Sequence, residues 1–113
     1  MTELQSKVEL YVPGTVRVCY EADTSAYVTR VAASFSQWFG GATVSEVTGY
    51  YIAETTGALI SESTRIVWSY CTTEELEVHS PEVLALAGEI CHELQQECVA
   101  VVINGIMFLV PDE

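Results

Sequence analysis

The stretch "ATVSEVTGYYIAETTGALISESTRIVWSYC", residues 42–71, decides the fold because it holds two long runs of strand-forming residues joined by a short turn. Val, Ile, Thr and aromatic side chains dominate both runs, and these residue types fit the pleated surface of a sheet. The connection "TTGA" is short enough for a hairpin. The sequence therefore predicts an antiparallel pair of strands at the centre of the chain.

A first helix is predicted before this hairpin. Apolar residues recur at helical spacing from Tyr27 to Phe39, and Asp23 is the predicted N-cap. The pair Gly40-Gly41 follows, and glycine is favoured in the left-handed position at the end of a helix. We therefore expect this helix to end at the glycine pair and to bury its wide apolar stripe against the sheet.

A second helix is predicted after the hairpin, from about Pro81 to Gln96. Ser80 is the predicted N-cap, and Pro81 would take the first helical position, where its missing N–H costs nothing. The preceding stretch "TTEELEVHSP" is predicted as a polar connector with at most one helical turn, capped by Thr72 or Thr73.

Extended segments are predicted near both ends of the chain. "KVELYV" alternates like a strand, and Pro13-Gly14 is predicted at the centre of a type II turn. "VRVCY" is either the second arm of a hairpin or an extended lead into the helix. "CVAVVI" is typical of a buried strand, and Asn104-Gly105 predicts a tight turn into "IMFLV".

The order of these elements predicts one α+β domain over residues 1–113. It matches a ferredoxin-like βαββαβ sandwich, with two helices on one face of an antiparallel sheet and extra terminal hairpin arms. The other face of the sheet is then open unless a partner covers it.

The charge is strongly negative, because four basic residues stand against sixteen acidic ones, for a net charge of −12. Such a field repels phosphate backbones and anionic membranes. The sequence therefore argues against direct binding of nucleic acid or membrane. It favours a basic protein partner or, alternatively, a high-salt solvent.

The start "MTELQSKVEL" has no basic region followed by an apolar run, so no secretory signal is visible. The expected location is the cytoplasm, where thiols stay reduced. We accordingly expect Cys19, Cys71, Cys91 and Cys98 to be buried thiols and not two disulfides.

The stretch "EICHELQQEC", residues 89–98, is the best candidate for a metal or redox site. Adjacent helical residues diverge, so Cys91 is expected in the core and His92 towards solvent. Zinc sites instead use spacings that bring ligands to one side. We predict no metal, no cofactor and no enzymatic activity, and an enzyme that uses Cys71, His79 or His92 is the less favoured alternative.

Two surfaces are candidates for binding a partner. The first is acidic and consists of Glu82, Glu89 and Glu93 on one edge of the second helix, preceded by Glu74, Glu75 and Glu77. The second is aromatic and lies on the central hairpin, with Tyr50, Tyr51, Trp68 and Tyr70. An ordinary solvated helix face and ordinary core packing are the plainer interpretations of the same residues.

The segments "YVPGT", "FGGAT" and "GY…" followed by "RIVWSYC" resemble a group of small acidic bacterial proteins often carried on mobile elements. The resemblance implies a compact α+β domain and supplies no active site. Together with the charge, it suggests a non-enzymatic inhibitor of the anti-CRISPR or anti-restriction type. Such a protein would bind the basic nucleic-acid surface of a host defence nuclease. The alternative is a ligand-sensing or oligomeric module, for example a homodimer, that uses the open sheet face.

Overall fold

The computed structural model describes residues 1–17 and 20–112, so Val18, Cys19 and Glu113 lie outside the described residues. Its elements follow the predicted order, with the second helix longer than expected. They are β1 (Ser6–Pro13), β2 (Thr15–Val16), β3 (Tyr20–Glu21), α1 (Ser25–Phe39), β4 (Thr43–Ile52), β5 (Leu59–Cys71), α2 (Thr73–Glu93), β6 (Cys98–Ile103) and β7 (Ile106–Pro111).

The main sheet has five strands in the order β4-β5-β1-β6-β7, and all its neighbours are antiparallel. Its first four strands give the strand order of a ferredoxin-like βαββαβ sandwich, and β7 extends one edge as the predicted returning arm. The predicted fold class is confirmed. The predicted arm "VRVCY" forms part of a small β2–β3 ribbon, and its residues Val18 and Cys19 lie outside the described part.

Both helices pack on one face of the sheet, as the alternation of buried and half-buried positions along β1 shows. In β1, Val8, Leu10 and Val12 are fully buried, and Phe35 of α1 and Ile90 of α2 meet them in one core. Alternate strand residues point to opposite faces, so the intervening β1 residues lie on the open side. Within the described ranges, no helix is long and apolar enough to cross a membrane.

Two turns form where the sequence predicts them. Gly40 ends α1 in the left-handed conformation with φ 89°, and its N–H donates to the carbonyl of Ser36. Asn104 and Gly105 join β6 to β7 with φ values of 50° and 82°. Positive φ at both positions is the geometry of a type I′ hairpin turn.

The predicted start of α2 is wrong, because the helix begins before the proline. The Thr72 side chain accepts a hydrogen bond from the Glu75 N–H, and the Glu75 carboxylate accepts one from the Thr72 N–H. This capping box satisfies two amides at the true N-terminus. Ser80 is therefore not the cap, and Pro81 lies inside the helix.

Three other local predictions also need correction. The N-cap of α1 is Thr24, although the neighbouring Asp23 carboxylate accepts a hydrogen bond from the Ser25 N–H. The second helix ends at Glu93, and Gln95 just beyond it has φ 53°. Gly14 has no positive φ, so Pro13-Gly14 is not the predicted type II turn.

Candidate functional site

A cleft of about 540 Å³ forms where the β4–β5 hairpin runs beyond the rest of the sheet. The pairing of β1 with β5 ends at Pro13 and Thr64, whereas β4 and β5 stay paired as far as Ile52 and Leu59. The projecting hairpin supplies one wall of the cleft. Gly14, Thr15 and the residues from Glu21 to Thr24 supply the other.

A close backbone contact fixes the two walls together. The Gly14 N–H donates to the Ser63 carbonyl at 3.1 Å, and a Cβ at position 14 would lie 2.5 Å from that oxygen. The Ala22 N–H donates to the Gly14 carbonyl, and the Thr24 hydroxyl donates to the Pro13 carbonyl. Glycine is needed at position 14 because of this close approach and not because of a special φ.

The cleft lining combines four charged residues with an apolar wall. Three are carboxylates, Glu21, Asp23 and Glu62, and the fourth is the guanidinium of Arg65. The remaining lining residues are apolar, hydroxyl-bearing or glycine: Val12, Gly14, Thr15, Ala22, Thr24, Tyr51, Ala53, Ile60, Ser61, Ser63 and Thr64. Such a mixture suits an amphipathic ligand that is mainly cationic.

Asp23 and Arg65 are connected through Ser25 at the start of α1. The Ser25 hydroxyl donates to Asp23 Oδ1 at 2.6 Å and accepts from Arg65 Nη1 at 3.2 Å. Hydrogen bonds from the Ser25 side chain and backbone lower the pKa of the Asp23 carboxyl, so it is ionised at neutral pH. Arg65 Nε also lies 3.5 Å from the carboxylate of Glu46. This network holds the guanidinium at the edge of the cleft.

The predicted acidic surface lies on α2, outside the cleft. Glu82, Glu89 and Glu93 are exposed as expected, but all three have basic neighbours. Arg30 of α1 pairs with both Glu89 and Glu93, at 2.5 and 3.0 Å, and His79 lies 2.9 Å from Glu82. The sequence suggested carboxylates without positive partners because the guanidinium comes from the other helix.

The other three predicted acidic residues lie in the first turns of α2 and not in a connector. Glu74 and Glu77 are exposed, whereas Glu75 is half-buried by its role in the capping box. Negative side chains near a helix N-terminus stabilise the helix, because they interact favourably with the partial positive charge of its dipole. Their placement therefore has a structural explanation that needs no partner.

The predicted aromatic residues divide between two places. Trp68 and Tyr70 lie on the open sheet face, because Val67, Ser69 and Cys71 occupy the buried one. The Lys7 ammonium lies over both rings, 4.7 Å from Trp68 and 5.4 Å from Tyr70.

On the hairpin, Tyr50 and Tyr51 point to opposite faces of β4. Tyr51 lines the cleft and Tyr50 does not, although both are exposed. Tyr51 is the one predicted site residue that the structure places in this cleft.

The cysteine and histidine residues of α2 form no catalytic arrangement. Cys91 is fully buried as predicted, and its thiol donates to the Gln96 carbonyl at 3.2 Å. His92 is exposed and pairs with Asp112 at 3.0 Å. Cys71, Cys91 and Cys98 are free thiols. Within residues 1–17 and 20–112, no group of three or more His, Cys, Asp or Glu side chains could hold a metal ion.

Sequence reasoning missed the four charged lining residues, Glu21, Asp23, Glu62 and Arg65. A signal was present in β5, where the polar run "SESTR" interrupts the strand between "LI" and "IVW". A polar run in the middle of a long strand marks the point where the strand leaves the core. The other half of the cleft, near Glu21 and Asp23, carries no such local signal.

The fold occurs in proteins of known structure. The chain is similar to a phage SAM lyase in complex with S-methyl-5'-thioadenosine, with TM-score 0.69, 20% identity, and coverage of 100% of this chain and 96% of that one. The apo state of a phage SAM lyase gives TM-score 0.66 at 22% identity with the same coverage. The divalent ion tolerance protein CutA1 from Ehrlichia chaffeensis gives TM-score 0.55 at 10% identity, over 87% of this chain and 77% of that chain. No family model and no curated protein matches the chain.

The similarity to phage SAM lyase contradicts two predictions from the sequence. The chain was expected to be no enzyme and to act as an inhibitor of a defence nuclease, yet its fold matches an enzyme from end to end. Acidity was the main argument for an inhibitor, and ion pairs and helix capping account for much of that acidity on α2. A basic protein partner and a homodimer stay predictions.

Proposed function

We propose that this protein binds S-adenosylmethionine (SAM) in the cleft beside the β4–β5 hairpin and cleaves it, releasing S-methyl-5'-thioadenosine. The observation that carries the proposal is the charge pattern of the cleft: three carboxylates and one guanidinium. The fold shared with a phage SAM lyase over the full chain supports it.

The charges of SAM are complementary to this pattern. The ligand has two cationic groups, the sulfonium and the α-ammonium, and one anionic group, the carboxylate. Glu21, Asp23 and Glu62 offer negative partners, and Arg65 offers a positive one. Charge complementarity of this kind selects a ligand and speeds its encounter with the site.

The size and the apolar wall of the cleft suit the nucleoside part of the ligand. A volume of about 540 Å³ lies within the usual range for small-molecule sites. Tyr51 supplies an aromatic ring and Ile60 an aliphatic side chain. An aromatic face accepts a purine by stacking and a sulfonium through a cation–π contact.

The reaction needs no group that the cleft lacks. An oxygen of the substrate's own carboxylate attacks the γ-carbon, and the bond from that carbon to sulfur breaks with its electron pair going to sulfur. The products are S-methyl-5'-thioadenosine and homoserine lactone, with no water and no proton transfer. The protein's task is to hold the chain folded for attack, since a well-oriented intramolecular reaction gains greatly from proximity.

Charge is lost along this reaction, which decides where the cleft carboxylates act. A carboxylate and a sulfonium become two neutral groups, so weakly hydrated apolar surroundings favour the transition state. A protein carboxylate close to sulfur would stabilise the substrate and slow the step. We therefore assign Glu62 to the α-ammonium, and the wall formed by Tyr51 and Ile60 to the sulfonium.

The proposal is tested by incubating the purified protein with SAM and separating the products by liquid chromatography with mass detection. We expect S-methyl-5'-thioadenosine and homoserine lactone in equal amounts. Tyr51→Ala should reduce the rate strongly, whereas Tyr50→Ala, a matched change on the opposite face of the same strand, should not. SAM left intact by folded protein that binds S-methyl-5'-thioadenosine would contradict cleavage and identify a ligand-sensing module.

A further inference from the structure

Arg65 is the only basic residue among the described residues that line the cleft. The other three basic residues have partners elsewhere. Lys7 lies over Trp68 and Tyr70, Arg17 donates to Gln95, and Arg30 pairs with Glu89 and Glu93. In a protein with a net charge of −12, a lone guanidinium beside three carboxylates is the natural place for an anionic group of a ligand.

Two of the three guanidinium nitrogens of Arg65, Nη1 and Nε, have protein partners, and the third, Nη2, has no hydrogen bond within the described part of the chain. Nη1 donates to the Ser25 hydroxyl at 3.2 Å, and Nε lies 3.5 Å from the Glu46 carboxylate. Nη2 donates no hydrogen bond to residues 1–17 or 20–112. Arg65 is therefore positioned by the protein while one nitrogen remains available to a ligand.

Ser25 sets this orientation through Asp23. The Ser25 hydroxyl gives its proton to Asp23 Oδ1, so its lone pairs are left to accept from Arg65. Asp23 stays ionised at neutral pH and keeps the hydroxyl turned in this direction. The chain of hydrogen bonds Asp23–Ser25–Arg65 therefore fixes the position of the guanidinium.

We propose that Arg65 binds the carboxylate at the amino-acid end of the ligand and thereby makes the cleft specific for an intact α-amino acid chain. This inference rests on the proposed function and names the residue that recognises one end of the substrate. A contact through Nη2 alone engages one carboxylate oxygen. The second oxygen is then free to attack the γ-carbon.

This contact exists only before the reaction. Neither product carries a carboxylate, because the oxygen that binds Arg65 or its neighbour becomes part of the lactone, and S-methyl-5'-thioadenosine never had one. The loss of the carboxylate removes the ion pair, so both products leave Arg65 without a partner. The same residue therefore favours binding of substrate over product, and, like a carboxylate beside sulfur, it stabilises the substrate and lowers the rate of attack; contact with one oxygen only keeps this cost small.

The test measures binding by calorimetry with two ligands that are not cleaved. Sinefungin keeps the amino-acid end of SAM and replaces the sulfonium by an amine-bearing carbon, whereas S-methyl-5'-thioadenosine lacks the amino-acid end. Arg65→Gln should weaken sinefungin binding by about 10- to 100-fold, the usual effect of losing a charged hydrogen bond. It should change binding of S-methyl-5'-thioadenosine by less than about twofold.

Two further variants make the result specific. Arg30→Gln removes the same charge outside the cleft and should leave both affinities unchanged, and Arg65→Lys should lose less than Arg65→Gln because it keeps the charge. An equal loss for both ligands in Arg65→Gln, or no loss for sinefungin, would overturn the role of Arg65. If neither ligand binds the unaltered protein, the proposed function itself is wrong.

Discussion

The amide nitrogen of Gly14 and the carbonyl oxygen of Ser63 lie 3.1 Å apart, and their hydrogen bond joins the two walls of the cleft. A Cβ at position 14 would lie 2.5 Å from that oxygen, and a contact that short forces the backbone apart. Gly14→Ala should therefore lower the free energy of unfolding by about 1–3 kcal/mol, the usual cost of overpacking. Urea denaturation measures this change.

Gly41→Ala is the matched control, because a Cβ at position 41 meets nothing within 4 Å and the residue has no positive φ. Its effect on unfolding should stay within about 0.5 kcal/mol. Gly14→Ala should also weaken binding of S-methyl-5'-thioadenosine, since it separates the cleft walls. Equal stability of the two variants would show that the close contact is not maintained in solution.

The N-terminus of α2 gives a second prediction, since the structure and the sequence pattern favour different caps. Thr72→Ala should cost about 1 kcal/mol, because the Glu75 amide loses its acceptor at the helix start. Ser80→Ala should cost under about 0.5 kcal/mol, because Ser80 lies inside the helix. Thermal unfolding of both variants decides between the two positions, and a larger loss for Ser80→Ala would restore the later start.

This helix shows why a correct fold can come with a wrong boundary. The capping box is present in the sequence as Thr72 and Glu75, yet Ser80-Pro81 is an equally good local signal for a helix start. Pro81 is tolerated inside the helix because it lies on the exposed side, where the carbonyl of Glu77 that loses its partner can bond to water. Glu77 is exposed too. The local sequence signals do not distinguish a helix start at Thr72 from one at Ser80. The exposure of Pro81 and Glu77 does, because it allows the helix to continue through the proline.

Arg30 provides a third prediction, because it joins the two helices through Glu89 and Glu93. All three side chains are partly exposed, so the pairs should contribute no more than about 1 kcal/mol. A double-mutant cycle with Arg30→Gln and Glu93→Gln should give a coupling of about 0.2–1 kcal/mol that decreases at high salt. A coupling of zero at low salt would mean that the acidic edge of α2 is a plain solvated surface.

The buried thiols predict a dependence on pH. Burial raises the pKa of Cys71 and of Cys91; the charge of Glu75 adds to the effect on Cys71, and the charge of Asp112 adds to the effect on Cys91. The stability that comes from keeping these thiols neutral is complete below the unfolded pKa and is lost as pH rises towards the raised folded pKa.

At pH 8, peptide-resolved alkylation should modify Cys98, which is half-buried, faster than Cys71 or Cys91. Faster modification of Cys91 in folded protein would contradict its place in the core.

The candidate site was harder to predict than the fold for a physical reason. Strand alternation and turn residues such as Gly40 and Asn104 act over a few positions, so they can be recognised locally. Asp23 lines the cleft together with Glu62 and Arg65, from which it is far apart in the chain, and the Gly14 amide holds the two walls together by its bond to Ser63 of β5. No sequence periodicity indicates the contact between Gly14 and Ser63. Tyr51 is therefore the one cleft residue that the sequence analysis named as a site residue, and it was named as part of a partner-binding surface.

Glu62 gives the prediction on which the assignment of charges in the cleft depends. It is half-buried, lines the cleft from β5, and is assigned here to the α-ammonium of the substrate. Glu62→Gln keeps the shape and removes the charge, so kcat/KM for SAM should fall by about 10- to 100-fold, as expected for the loss of one charged hydrogen bond. Glu54→Gln, an equal change in the turn between β4 and β5 and outside the cleft lining, should have no effect.

Whether Glu62→Gln changes kcat or KM shows whether this carboxylate lies at the α-ammonium or at the sulfonium of the substrate. If Glu62 holds the α-ammonium, Glu62→Gln lowers kcat/KM without raising kcat, and it leaves the binding of S-methyl-5'-thioadenosine unchanged because that product lacks the ammonium. If Glu62 instead lies beside sulfur, removing its charge relieves the stabilisation of the substrate, and kcat should rise while KM rises. An increase in kcat would therefore move Glu62 to the sulfonium and leave the ammonium to Glu21 or Asp23.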